Sequence, residues 1–419
     1  MGTNTGIYGF LLPISANFMF LLLTLSGLLA ATNVLPAFLE LGKFLGNLAR
    51  TGPAYGAVVA SSLMGMLSGS AIANVTFTGT FTIPSMKSCG YSAADAGGIE
   101  ATASCGGQVT PPIMATAAFI MAGFIGIPYV VIVMKAVIPA LVYYIAVAFA
   151  IYLLARTKHI APPKELVNWH IVSRQLPPFV IVIALIFVLL LLHYSLGFVA
   201  GTAVLTMTGL SLLQKETRPS LNSFLQGLKY GVGTAASIGV LLGLVGIISQ
   251  GIITPGLGSK LGIFITALTQ GQLLIALPLC MILCLILGIG MPSTPAYILA
   301  ALTVVPTIVA LGVPLIPAHF FALYFANFST LTPPVALASI AASRIAGANW
   351  MKTSLSALRI AFVAWILPFI FVMYPSILGF PHMTTEGIIV TLLTVVASGL
   401  LGVIIYRFLP GYGFLRWYE

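Results

Sequence analysis

Four stretches of the sequence gather hydroxyl, carboxamide and glycine residues in otherwise apolar surroundings. They are Ser68-Gly69-Ser70 through Asn74, then Gly106-Gly107-Gln108 with Thr110, then Gly288 through Thr294, and Ser329-Thr330 with Thr332. In the third, Gly290, Met291, Ser293 and Thr294 are the chemistry-bearing positions, and Thr110 and Thr332 each precede a Pro-Pro pair. Glycine and proline interrupt helices, and an interrupted helix leaves N–H groups free at one end and C=O groups free at the other. Free N–H groups suit a carboxylate, whereas freed carbonyls with Ser, Thr and Asn oxygens suit a desolvated cation. The whole set is the candidate substrate and ion site, with Ser68, Ser70, Asn74, Gly107 and Thr110 as candidate sodium ligands. The bland alternative is that these residues only satisfy backbone groups at helix breaks, and that Gly288 and Gly290 only allow close backbone approach.

Glu100 stands alone in an apolar stretch, where a charge costs about 2.5–3.5 kcal/mol on insertion scales. It is a candidate proton site, or else a structural ion-pair partner of Lys135. His319 reads as an interfacial or hydrogen-bonded histidine, and Asp95 as an acid favouring a helix N-terminus. No Ser with His or Lys, paired Asp or His-Glu-x-x-His run lies in the apolar segments, so no intramembrane hydrolase is expected. Cys89, Cys105, Cys280 and Cys284 are scattered without His or acidic company, which argues against a disulfide or a metal site.

The elements that position these residues must lie in a membrane. Of 419 residues, 59% are hydrophobic and 6% charged, against about 25% charged in soluble domains, and residues 261–343 carry no formal charge. A crossing takes about 20 apolar residues, and simple spans fall at 7–32, 127–155, 176–194, 196–213, 229–252, 354–378 and 385–407. Residues 51–88 and 271–311 are too long for one crossing and are broken centrally, so each reads as a re-entrant hairpin. Residues 92–124 and 315–345 read as discontinuous helices. Such backbone is tolerated at membrane depth only inside protein or beside a wet cavity. The first twenty residues lack the basic start of a signal peptide.

The broken pieces repeat. An offset of 222 carries Pro84 to Pro306, Gly90 to Gly312, Ala96 to Ala318 and Thr110-Pro111-Pro112 to Thr332-Pro333-Pro334. An offset of 220 carries Leu41-Gly42, Phe44 and Leu48 to Leu261-Gly262, Phe264 and Leu268, two arm helices leading into the hairpins. Five crossings separate the hairpins, so the repeats are inverted. The domains are then 1–155 (first repeat), 156–228 (a cytoplasmic loop and linking scaffold spans), 229–378 (second repeat) and 379–419 (an extra span and tail). The net charge of +10 has a topological cause. With the first hairpin opening inward, all Lys and Arg except Lys135 and Lys260 fall at the cytoplasmic side, with Trp169, Trp350 and Trp417 beside them. Nothing suggests nucleic acid as a partner. The fold class is an all-α polytopic membrane protein with inverted repeats, two re-entrant hairpins and two discontinuous helices, the architecture of secondary transporters.

Ser68-Gly-Ser-Ala-Ile-Ala-Asn74, Gly79-Thr-Phe-Thr-Ile-Pro84, Glu100-Ala-Thr-Ala-Ser-Cys-Gly-Gly-Gln108, Gly288-Ile-Gly-Met-Pro-Ser-Thr294 and Thr332-Pro-Pro-Val-Ala336 resemble the large membrane subunit of tripartite ATP-independent periplasmic (TRAP) transporters. The likeness is greatest to the TAXI branch, whose membrane subunits are often fused, and it covers about residues 7–378. It implies an elevator-type fold in a prokaryotic inner membrane. It also implies uptake of an organic acid delivered by an extracytoplasmic binding protein, with an ion gradient and no cofactor driving the carrier. The sequence itself favours sodium over a proton as coupling ion. The second arm is preceded by three spans and the first by one, so helices on another chain or an upstream segment, including a small membrane subunit, are expected partners. A stand-alone carboxylate carrier is the alternative function.

Overall fold

The computed structural model describes residues 6, 9, 11–32, 34–160 and 166–408; Lys164, Arg416 and Trp417, counted in the charge and aromatic pattern above, lie outside them. The described residues form helices joined by short turns. The first span is α1 (Leu11–Ile14), a π-helical turn and α2 (Phe20–Ala31); the arm α3 (Leu35–Ala49) follows. The helical pair α4 (Pro53–Ser68) and α5 (Ala71–Ser88) leads to the broken helix α6 (Ala93–Gly107) and α7 (Ala115–Ile125). The long helices α8 (Tyr129–Thr157), α9 (Trp169–Leu191), α10 (Leu196–Leu213) and α11 (Leu221–Ile253) come next. The order then recurs: arm α12 (Leu257–Leu268), pair α13 (Leu273–Leu287) and α14 (Ser293–Ala310), and broken helix α15 (Leu315–Phe328) and α16 (Leu337–Ala346). Helices α17 (Trp350–Ile360), α18 (Leu367–Met373) and α19 (Thr385–Phe408) close the chain.

Seven of these helical stretches are long and apolar enough to cross a membrane, and α17 with α18 makes an eighth if its 76° bend is one span. That bend differs from the straight crossing expected at 354–378, and a 3₁₀ turn at Phe362–Trp365 accounts for it. Two spans also start earlier than their apolar runs, because polar residues cap them. Asn168 accepts from His170 N–H at 3.1 Å at the head of α9, and Ser220 accepts from Ser223 N–H at 3.1 Å at the head of α11.

Burial sorts the helices into two groups. Residues 95–107 of α6 and 317–328 of α15 are buried throughout, so the broken helices are the centre. α4, α5, α16 and α17 pack on α6, whereas α2, α9, α10 and α11 pack on one another. Each arm joins a helical pair, α3 on α4 and α12 on α14. Glycine permits the first contact: a Cβ on Gly42 would sit 1.8 Å from Gly56 Cα. Outward side chains such as Leu244, Leu392 and Leu400 are aliphatic and exposed, as a lipid-facing surface requires.

The internal repeat has a conformational counterpart. Met114 and Ala336, related by the offset of 222, both hold left-handed backbone, at φ of 52° and 48°. Gly90 and Gly312 are paired in the same way, at 101° and 91°, a region only glycine enters freely. For the two non-glycine residues this conformation costs about 1–3 kcal/mol each, and both sit at helix breaks.

Candidate functional site: two helix breaks and a shared cavity

The break between α4 and α5 is two residues wide. Gly69 takes a left-handed turn, φ 68°, and Ser70 caps α5 by accepting from Ala73 N–H at 3.4 Å. Ser68 Oγ points back to Gly65 O at 3.4 Å and Ser70 O at 3.2 Å. Asn74 lies one turn into α5 and faces α6. Its Nδ2 donates to Ser61 O at 2.7 Å and to Ser104 Oγ at 3.0 Å. A carbonyl can only accept, so this fixes the amide's orientation and leaves Asn74 Oδ1 buried with no partner among the described residues. Gly65 and Gly107 touch backbone to backbone beside it: a Cβ on Gly107 would sit 2.7 Å from Gly65 Cα, and one on Gly65 3.0 Å from Asn74 Nδ2.

The second broken helix supplies a similar arrangement. Asn327 Nδ2 donates to Cys105 O at 2.7 Å, and its Oδ1 is also buried without a partner. Cys105 Sγ and Thr330 Oγ1 are 3.2 Å apart, so the two broken helices meet at their breaks. Thr110 and Thr332 each donate to the carbonyl four residues back at 2.8 Å, and Thr110 also pairs with Tyr144 at 2.7 Å. Ser329 Oγ donates to Ala326 O at 2.7 Å and packs on Gly288. Gly290 turns at φ 73°, Met291 N–H reaches Gly288 O at 3.2 Å, and α14 then begins. Gln108 meets that start, accepting from Ser293 Oγ and leaving its Nε2 buried and unpartnered; Gly106 lies against Tyr143. Thr116, at the head of α7, pairs with Thr294 and touches Gly69. The turns inside both helical pairs, the tips of the expected hairpins, therefore rest on the first broken helix. Between the tips and α11 lies a cavity of about 150 Å³ lined by Gly69, Ser70, Thr294 and a face of α11 that includes Thr234 and Ser237.

The structure brings together Asn74 and Gly107 beside Gly65, then Ser70, Gly69 and Thr294 at the cavity, and Ser329, Thr330 and Asn327 at the second break, while the Ser68 hydroxyl bonds within its own break. The ion-pair alternative for Glu100 is corrected: Lys135 donates to Leu378 O at 3.1 Å, and Glu100 makes no ion pair among the described residues. Lys135 is on α8 and faces the turn after α18, whereas Glu100 is on α6 and faces α4 and α5. Glu100 is fully buried in hydroxyls: Ser61 at 2.6 Å, Thr78 at 2.5 Å, Thr82 at 2.6 Å and Ser104 at 3.4 Å. Asp95 pairs with Lys158 and Ser356 near the head of α6, and His319 Nδ1 is 2.8 Å from Tyr297 Oη.

Several of these residues escaped the sequence reading. Asn327, one turn before the second break, could have been found as the polar residue at the repeat position of Cys105, in a run otherwise aromatic and aliphatic. Thr78, Thr82 and Ser104 lie at helical spacing from one another or from Glu100. Thr234 and Ser237 had no signal beyond being hydroxyls on an apolar span.

Two helical pairs and two broken helices whose breaks meet inside a bundle of membrane-length apolar helices define a multi-pass membrane transport protein of the secondary-transporter type. The family is shown by the match of residues 12–384 to the tripartite ATP-independent periplasmic transporter, DctM component. The chain belongs to this family, and is thus a subunit of a TRAP secondary transporter. No curated protein matches the chain.

Proposed function

We propose that the chain is the carrier subunit that imports an organic acid against its gradient, with sodium as coupling ion. Its residues 1–155 and 229–378 then act as inverted repeats, linked by 156–228 and followed by 379–419. The observation that carries this reading is the pair of unpartnered buried carboxamide oxygens, Asn74 Oδ1 and Asn327 Oδ1, one at each broken helix. An unpaired buried acceptor is costly, and a hard cation binds such oxygens with neighbouring carbonyls. The donors are sorted elsewhere. Gln108 Nε2 and the uncapped first turn of α14 offer N–H groups, which suit a carboxylate. Loading both sites on one body that slides against α2, α9, α10 and α11 gives elevator-type alternating access.

TRAP membrane components generally work with an extracytoplasmic binding protein and a small membrane subunit, and the proposal takes both as partners in an inner membrane. A second reading, a proton as coupling ion, is favoured by Glu100, which is held by hydroxyls and, among the described residues, by no cation. The test is uptake into proteoliposomes with sodium and proton gradients imposed separately, with and without the binding protein. Sodium-driven, binding-protein-dependent uptake is expected. Uptake indifferent to sodium would overturn the sodium assignment, and full uptake without a binding protein would favour a stand-alone carrier.

A further inference from the structure

The cavity between the hairpin tips has two chemically different walls. On the tip side stand Ser70 and, at the start of α14, Pro292, Thr294 and Pro295, with no side-chain cap bond at Pro292. The two prolines have no N–H, so the donors of that wall are the Ser70 hydroxyl and the Thr294 N–H. On the other side stands one face of α11, at helical spacing: Thr234, Ser237, Ile238, Leu241 and Leu242. The Thr234 hydroxyl donates to Tyr230 O at 2.8 Å and the Ser237 hydroxyl to Gly233 O at 2.9 Å. Each hydroxyl has a single hydrogen, so both present only lone pairs to the cavity. The α11 wall therefore accepts and does not donate.

Resting on the carboxylate reading above, we infer that the substrate is a short hydroxy acid, its carboxylate on the tips and its hydroxyl donating to Thr234 and Ser237 of α11. An ammonium group in place of the hydroxyl would find no acidic side chain in the lining, so only the same two hydroxyls would offset its desolvation, which is larger than that of a neutral hydroxyl. The volume of about 150 Å³ equals roughly five water volumes and admits roughly five to eight close-packed non-hydrogen atoms. Ile238, Leu241 and Leu242 continue the same face as aliphatic wall, where the carbon skeleton lies. A helix outside the helical pairs and the broken helices thereby selects among acids that the hairpin tips hold alike.

The test reports binding directly. In the assembled transporter, Ile238→Cys places a thiol in the lining without touching either acceptor, and its maleimide labelling is followed with 2-hydroxypropanoate, propanoate or alanine as competitor. The hydroxy acid should protect at about tenfold lower concentration than propanoate, the worth of one to two hydrogen bonds, and alanine should protect least. Adding Thr234→Val with Ser237→Ala should bring the hydroxy acid to the level of propanoate and leave propanoate itself unchanged. Equal protection by propanoate, no protection by any of the three, or equal losses for both acids in the double variant would overturn the inference. Uptake of the protecting acid is measured alongside: protection without ion-driven uptake would fault the proposed transport function and leave this assignment standing.

Discussion

Replacing Asn74 by alanine separates the two halves of one side chain. The amide nitrogen holds the fold, donating to Ser61 O and Ser104 Oγ at 2.7 and 3.0 Å; its loss removes two buried hydrogen bonds and should cost about 1–3 kcal/mol. The carbonyl oxygen has no partner among the described residues, so its removal should cost the fold nothing and the bound ion a ligand. These effects are read apart by thermal unfolding of purified protein in sodium and in an equal concentration of choline. For the unmodified chain, sodium at ten times its dissociation constant should add about 1.4 kcal/mol of stability by mass action. Asn74→Ala should unfold at a lower temperature in choline and lose most of the sodium increment, with uptake down at least tenfold. If the variant keeps the whole sodium increment, Asn74 Oδ1 is not a ligand and the orphaned oxygen must be explained otherwise.

Glu100→Gln retains the shape and the hydroxyl contacts, so sodium-driven uptake should persist; a loss confined to the response to an imposed pH gradient would shift the coupling to a proton. Gly107→Ala drives a Cβ to 2.7 Å from Gly65 Cα and, being backbone against backbone, should cost about 1–3 kcal/mol, whereas Gly201→Ala, with only Leu21 Cδ1 at 4.0 Å, should be neutral or slightly stabilising; equal melting temperatures for the two would contradict this packing. Single cysteines at Trp169 and Lys352 should label only from the cytoplasm and one at His382 only from outside, and labelling of Trp169 and His382 from one face would remove the inversion. At the arm, burial pushes Glu40 up, but Lys43 and the Asn168 N–H outweigh it and hold the carboxyl below its usual 4.5. A depressed carboxyl stabilises above the unfolded value and loses that contribution as pH falls through the folded one. The fluorescence of Trp169, which packs on Phe44, should therefore change between about pH 4.5 and lower values and show no such step in Glu40→Gln.

Local chemistry fixes much of this protein from sequence alone. Apolar runs of membrane length, Gly69-Ser70, the Thr-Pro-Pro pairs and the offset of 222 each act within a few neighbouring residues, and the helices, the breaks and the family match fall where they indicate. Pairing across the bundle was not legible in that way. Lys135, in the next span, was the one obvious basic intramembrane partner for Glu100, yet helix rotation turns it to Leu378 O and leaves Glu100 to hydroxyls of α4, α5 and its own helix. Thr110 was grouped with Asn74, and the break turns it toward Tyr144. Asn327 reaches Cys105 across 222 residues of chain, and the face of α11 becomes a cavity wall only because both hairpin tips arrive opposite it. Hydrophobic periodicity specifies that a helix is buried and where it stops. Which polar atoms meet, and which are left over to hold a ligand, is set by the azimuth of each helix in the packed bundle, and only the tertiary structure contains that.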